Sequence, residues 1–389
     1  MTKRETMRTL LCCVCGVLLA GAWAPPLRSQ QIAPANSVES DLALLPPSVV
    51  LAPWPKHISP TTRQGVAGIE RTARGRLWVV YGRDVESPRN YQVGRYSDND
   101  GNSWSDVKVM ILPREGVRAM SAAIWIDPLG RLWLFWGQSF GQQDGRFGIW
   151  AMTTDEPNAE TPRWSAPRRL GDGIMLNKPT VLANGDWLLT SSVWKADNSI
   201  RVYASRDQGE AFELRGTANV LPEEARGPDE PMIVERRDRS LWMLVRSRGL
   251  AETFSADGGQ TWAPVTRSPL KHPTSRFFVR RLRSGSILLV KHGGLDERVG
   301  REKLTAFLSD NDGTTWQGGL MIDERDDVTY PDGVQADDGT IYLAYDHHRS
   351  PEGIIHLATF REEDIRAAKP VTDKVRLRVL IDRLPQARP

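Results

Sequence analysis

The sequence predicts an all-β fold, a six-bladed β-propeller of four-stranded antiparallel blades, on three observations. A box of the form Ser-x-Asp/Asn-x-Gly-x-x-Trp/Phe occurs four times, at Ser97 to Trp104, Ser205 to Phe212, Ser255 to Trp262 and Ser309 to Trp316. A second turn signal, a Gly or in one case a Ser followed by a short apolar run, recurs at Gly75, Gly130, Gly185, Ser240, Gly285 and Gly339. Finally, the 14 tryptophans are suited to filling wedge-shaped gaps between blades with flat side chains. In the box, the Asp or Asn side chain can bond its own backbone, and the aromatic folds back as a plug. The boxes are 108, 50 and 54 residues apart, so the first interval is a doubled period whose middle copy is worn down near Asp155 and Trp164. Repeats of this length indicate a propeller or solenoid, and six units of about four strands indicate six blades.

Taken in order, the chain begins with an address label. Lys3, Arg4 and Arg8 precede the apolar run Leu10 to Ala24, whose small residues Ala20, Gly21, Ala22 and Ala24 suit cleavage after Ala22 or Ala24. Residues 1–24 therefore read as a secretory signal peptide and the protein as periplasmic or secreted, with no membrane anchor in its mature form. All three cysteines (Cys12, Cys13 and Cys15) lie in this segment, leaving no disulfide or thiolate metal site beyond it. Residues 25–60, rich in Pro, Ser and Ala, read as a linker or loosely packed arm, and residues 61–389 as the propeller. Within it, runs such as Leu77 to Tyr81, Leu132 to Trp136 and Ile341 to Tyr345 favour buried strand over helix. One short helix is expected over Glu362 to Ala368 and a last strand over Val375 to Leu380.

The formal net charge is +3, and about +1 once Lys3, Arg4, Glu5 and Arg8 are removed, which gives no electrostatic case for nucleic acid as a partner. No Gly-rich phosphate loop follows a strand and opens a helix, and no His/Asp cluster shows metal-ligand spacing, so neither a cofactor nor a metal is expected.

In a propeller, residues at a fixed offset from each turn converge on one funnel. About ten positions before the turns stand Arg63 with Gln64, Met120 with Ser121, Asn177 with Lys178, Glu230, Ser275 with Arg276, and Tyr330; about seven after stand Arg83, Gln138, Trp194, Arg246, His292 and Asp346. This set is rich in cations and hydrogen-bonding groups, as a pocket for an anionic sugar requires. From it Lys178, Arg276, His292 and Asp346 are taken as substrate-binding candidates.

The boxes and the six-unit ring resemble the sialidases (neuraminidases) and related proteins with bacterial neuraminidase repeats. Asp229 to Glu235 followed by Leu241 to Arg246 is similar to the sialidase blade that supplies a catalytic Glu and one arginine of a carboxylate-binding triad, which implies those roles for Glu230 and Arg246. Arg301 to Ser309 resembles the segment bearing a further arginine, Arg301, and Tyr330 to Gln335 the segment bearing the nucleophilic tyrosine, Tyr330. Two matches depart from the family. Its Phe-Arg-Ile-Pro-like phrase is absent, with Arg63 the nearest arginine and Arg71 behind it. Its acid/base Asp corresponds by position to Glu86, with Asp84 close by.

The resemblance implies a retaining exo-glycosidase that releases terminal sialic acid or a related acidic sugar. A carboxylate beside the anomeric carbon repels an anionic nucleophile, which a neutral phenol avoids; with a pKa near 10 that phenol needs a base. Two other functions are compatible with the sequence: a lyase on uronate polymers, using His292 or His347 near Tyr330, and a glycan-binding propeller without turnover.

Overall fold

The computed structural model describes residues 42–51, 61–84, 86–140, 147–193, 199–219 and 229–385. The 1–24 leader and Trp194 lie outside them. The described residues form six antiparallel sheets arranged as a six-bladed propeller. Blade 1 comprises Gln64–Arg71, Leu77–Arg83, Tyr91–Ser97 and Val109–Leu112. Blade 2 runs from Val117–Ile126 to Arg168–Asp172, blade 3 from Thr180–Val181 to Glu213–Asn219, and blade 4 from Met232–Glu235 to Thr266–Arg267. Blade 5 runs from Phe278–Arg281 to Gln317–Asp323 and blade 6 from Val328–Gln335 to Arg376–Asp382. The first strands of neighbouring blades touch around the centre, as 64–71 does with both 117–126 and 328–335.

Within the 25–60 arm, Ser48–Val50 pairs with Val109–Leu112 and makes a fifth, outer strand of blade 1. The last strand is likewise outermost in blade 6, on Ile354–Phe360. The one α-helix among the described residues, Glu362–Arg366, stands in blade 6 where other blades carry a box.

Turn chemistry explains the repeat. In all four boxes the Ser Oγ accepts the Gly N–H, at 2.9, 2.7, 2.8 and 2.9 Å, and donates to the Asp or Asn two residues on. The box also seals blades together: a Cβ on Gly209 would lie 2.7 Å from both Trp133 of blade 2 and Trp187 of blade 3. The turns from first to second strand share one backbone bond, such as Gly75 N–H to Thr72 O at 2.9 Å. In blade 4 the left-handed residue is Arg239 (φ 71°), one place before the expected Ser240; its N–H donates to Arg236 O at 3.0 Å, so the geometry persists without the glycine.

The first strands differ in length. Those of blades 1, 2 and 6 have 8, 10 and 8 residues, while those of blades 3, 4 and 5 have 2, 4 and 4. Each long strand carries a bulge, with a non-glycine residue at positive φ inside it: Val66 (61°), Ser121 (58°) and Tyr330 (54°). Bulges re-aim side chains, and a bulky residue in the left-handed region stores on the order of 1–3 kcal/mol that the surroundings must offset.

Candidate functional site

All three bulge residues line one cavity of about 290 Å³. Six of the sequence-derived candidates meet there: Arg63, Glu86, Glu230, Arg246, Arg301 and Tyr330. At its floor the Tyr330 hydroxyl donates to Glu230 Oε1 at 3.2 Å, and Arg246 Nη1 donates to the same oxygen at 2.5 Å and to Tyr330 Oη at 3.0 Å. Glu230 and Arg246 are 3% and 4% exposed, and Glu230 Oε2 is buried without a hydrogen-bond partner. Burial works against the Arg246 charge, but Glu230 and Tyr330 outweigh it and its pKa is raised.

Two further guanidiniums gather on Tyr330. Arg301 shares an acceptor with Arg246: Thr274 O takes Nη2 of each, at 3.3 and 3.4 Å. Its pKa is lowered by burial, Tyr330 opposing and the charges of Arg349 and Arg246 adding to the fall. Arg349 lies with its guanidinium carbon 4.9 Å from the Tyr330 ring centre, its Nε 3.9 Å from Asp346 Oδ1. The offset rule did not reach Arg349, which comes from beyond the second strand of blade 6, but its signal is the glycine facing it. A Cβ on Gly65 would sit 2.4 Å from Arg349 Cδ and 2.8 Å from Asp346 Oδ2. Blade 1 thus leaves a space that blade 6 fills with an arginine.

Across the cavity Arg63 Nη2 donates to Glu86 Oε1 at 2.7 Å, and Arg118 Nη2, also missed by the offset rule, lies 3.8 Å from Glu86 Oε2. Burial lowers the Arg118 pKa; Glu86 opposes that and Arg63 adds to it. Glu86 is half exposed and on the cavity wall, whereas Asp84 is buried off it, its N–H donating to Thr61 Oγ1 at 2.7 Å. The lining holds five arginines and three carboxylates, with Asp229 the third. Such a surplus of fixed cations favours an anionic ligand.

Four candidates face elsewhere. Lys178 Nζ is spent on the axis, 3.1 Å from Glu70 Oε2, 3.2 Å from Asp332 Oδ2 and 3.0 Å from Ile124 O. Arg276 is also buried there, donating to Leu176 O at 2.9 Å and 3.5 Å from Asp332 Oδ1. The His292 ring meets Val328 O at 2.8 Å in the core. Asp346 accepts the Val66 N–H at 2.6 Å and bonds the Thr329 hydroxyl, so it supports the bulge from behind; burial raises its pKa, with Arg349 opposing. The offset before the turn failed in blades 3 and 5, whose first strands are short, and the offset after it failed for His292 and Asp346; no histidine lines the cavity among the described residues.

The comparisons agree with this architecture. The solved structures it is similar to include the Hadza microbial sialidase Hz136, at TM-score 0.63 and 18% identity over 78% of this chain and 67% of that one. A protein of unknown function from Dyadobacter fermentans DSM 18053 gives 0.61 and 16% over 77% and 94%. The intramolecular trans-sialidase from Ruminococcus gnavus gives 0.59 and 13% over 79% and 96%. These identities establish the fold alone. No curated protein matched the sequence. Among the described residues no helix is long and apolar enough to cross a membrane. A family model described as a BNR repeat-like domain matches residues 69–343, and the chain, a sialidase-like propeller, belongs to that family.

Proposed function

We propose that this protein is an exported retaining exo-glycosidase that hydrolyses terminal sialic acid or a related acidic sugar from glycans. The observation that carries the proposal is the contact of the Tyr330 phenol with the Glu230 carboxylate, ringed by Arg246, Arg301 and Arg349. In the first step Tyr330 Oη bonds to the anomeric carbon while its proton passes to Glu230, and Glu86 protonates the departing glycosidic oxygen. In the second, water attacks the same carbon, Glu86 takes a proton from it, and the Tyr330–carbon bond breaks as Glu230 returns the proton. Arg246, within hydrogen-bond reach of Oη, stabilises the negative charge that develops there. The three arginines hold the substrate carboxylate, a task for which guanidinium is suited because it stays charged and can bond bidentately. That trio differs from the sequence expectation: Arg63, expected in the clamp, is engaged with Glu86, and Arg349 takes its part. Arg63 and Arg118 instead orient the acid.

The signal-like residues 1–24 support export. The lyase alternative, which gave the proton transfers to His292 or His347, has no support from the cavity, since both are buried and neither lines it. A propeller that binds glycans without turnover would keep the arginines but not need the phenol. Release of 4-methylumbelliferone from its sialoside by the wild-type protein, and its loss in Tyr330→Phe, tests the proposal. No release from any acidic 4-methylumbelliferyl glycoside would leave the binding reading in its place.

A further inference from the structure

Outside the cavity, the hairpin of blade 6 gathers three groups that the site does not use. His347 ends the strand Ile341–His347 and pairs with Val328. His348 follows at φ 44°, a left-handed turn that brings its ring back over His347, with centroids 4.0 Å apart and planes at 19°. Asp326 approaches from the loop before Val328. One ligand atom from each of Asp326, His347 and His348 lies within 4.8 Å of the others.

Three details distinguish this group from a chance surface cluster. His347 is buried, and its Nδ1 has no hydrogen-bond partner. His348 Nε2 lies 3.8 Å from Asp326 Oδ1, too long for a hydrogen bond but near enough to share an ion, while its Nδ1, on the other side of the ring, lies 3.8 Å from Glu352 Oε2. The backbone is fixed independently of these side chains, His348 N–H donating to Asp327 O at 3.2 Å and Gly353 N–H to His348 O at 2.7 Å. The nearby cation Arg325 is already neutralised by Asp323, through bonds of 2.9 and 2.6 Å.

We propose that Asp326, His347 and His348 bind a divalent transition-metal ion of the zinc, cobalt or nickel class. Two imidazoles and a carboxylate suit these ions, whereas calcium and magnesium take oxygen ligands. Tetrahedral coordination at Zn–N and Zn–O lengths of about 2.0–2.2 Å requires donors roughly 3.3–3.5 Å apart, so the partly exposed His348 ring must turn out of its stack on buried His347 and the exposed Asp326 side chain must rotate toward them. The bound ion would tie the loop before Val328 to the 348–352 turn, next to Arg349, and so stiffen one wall of the cavity from outside.

The test uses the full chain, purified without a polyhistidine tag and stripped with chelator. Titration with Co²⁺, followed by its visible d–d absorption and by calorimetry, is expected to show one ion per chain and a raised thermal midpoint. His348→Ala and Asp326→Ala, both at accessible side chains, are expected to weaken binding roughly tenfold or more while leaving the metal-free midpoint unchanged. Ca²⁺ and Mg²⁺ are expected not to compete. Absence of Co²⁺ and Zn²⁺ binding, or binding undiminished in the His348→Ala/Asp326→Ala double variant, would overturn the assignment.

Discussion

The Tyr330 hydroxyl donates to Glu230 Oε1 at 3.2 Å across 100 residues of sequence, and Arg246 bonds both groups. A phenol so paired is chemically poised, because its proton has an acceptor and its developing charge has a cation. Tyr330→Phe should abolish turnover, and Glu230→Gln, which keeps the shape but not the base, should lower kcat by about 10²–10⁴. Steady-state kinetics with a fluorogenic sialoside check this. An unchanged kcat in Glu230→Gln would remove that residue from the mechanism.

Gly65 and Arg349 occupy one space from two blades. Gly65→Ala should cost about 1–3 kcal/mol through crowding and displace Arg349, while Arg349→Ala should raise KM roughly tenfold to hundredfold by removing a charge-assisted contact. The double variant should regain stability without regaining KM. Thermal midpoints of the three proteins, set beside their KM values, separate packing from binding; equal midpoints in Gly65→Ala and wild type would refute the crowding.

Lys178 joins Glu70 of blade 1 and Asp332 of blade 6 on the axis, all of them buried. Lys178→Met leaves Glu70 without its cation and Asp332 with only the 3.5 Å contact to Arg276, and should destabilise the protein by about 3–5 kcal/mol. Adding Glu70→Gln should recover part of that loss. Urea unfolding of the single and double variants measures both effects, and a Lys178→Met protein as stable as wild type would show that the pairing contributes nothing.

His292 should make stability acid-sensitive. Burial, with repulsion from Arg301 and Lys291, holds its pKa down to about 4 from 6.5 against the opposing bond to Val328 O. The unfolded chain takes up this proton below about pH 6.5 and the folded protein only near pH 4. The stabilisation is therefore complete above pH 6.5 and is lost progressively as pH falls toward 4, by up to about 3 kcal/mol. In His292→Gln, which keeps a donor for Val328 O, the decline in urea midpoint between neutral pH and about pH 4.5 should be shallower; an identical decline would assign the acid sensitivity to other groups.

The sequence by itself determined the ring, because each box and each inter-strand turn is closed by bonds between residues no more than four apart, such as Gly209 N–H to Ser205 Oγ. It also supplied Tyr330, Glu230, Arg246, Arg301, Arg63 and Glu86, whose positions relative to the turns or resembling phrases brought them to the cavity. Only the tertiary structure decided where equivalent offsets lead. Long, bulged first strands turn Val66, Ser121 and Tyr330 into the cavity, while short ones in blades 3 and 5 leave Lys178 and Arg276 on the axis. The entry of Arg349 through the space at Gly65, and the meeting of Asp326 with His347 and His348, are contacts between separate segments. They depend on strand length, bulges and the packing of one blade on the next, and sequence spacing records none of these.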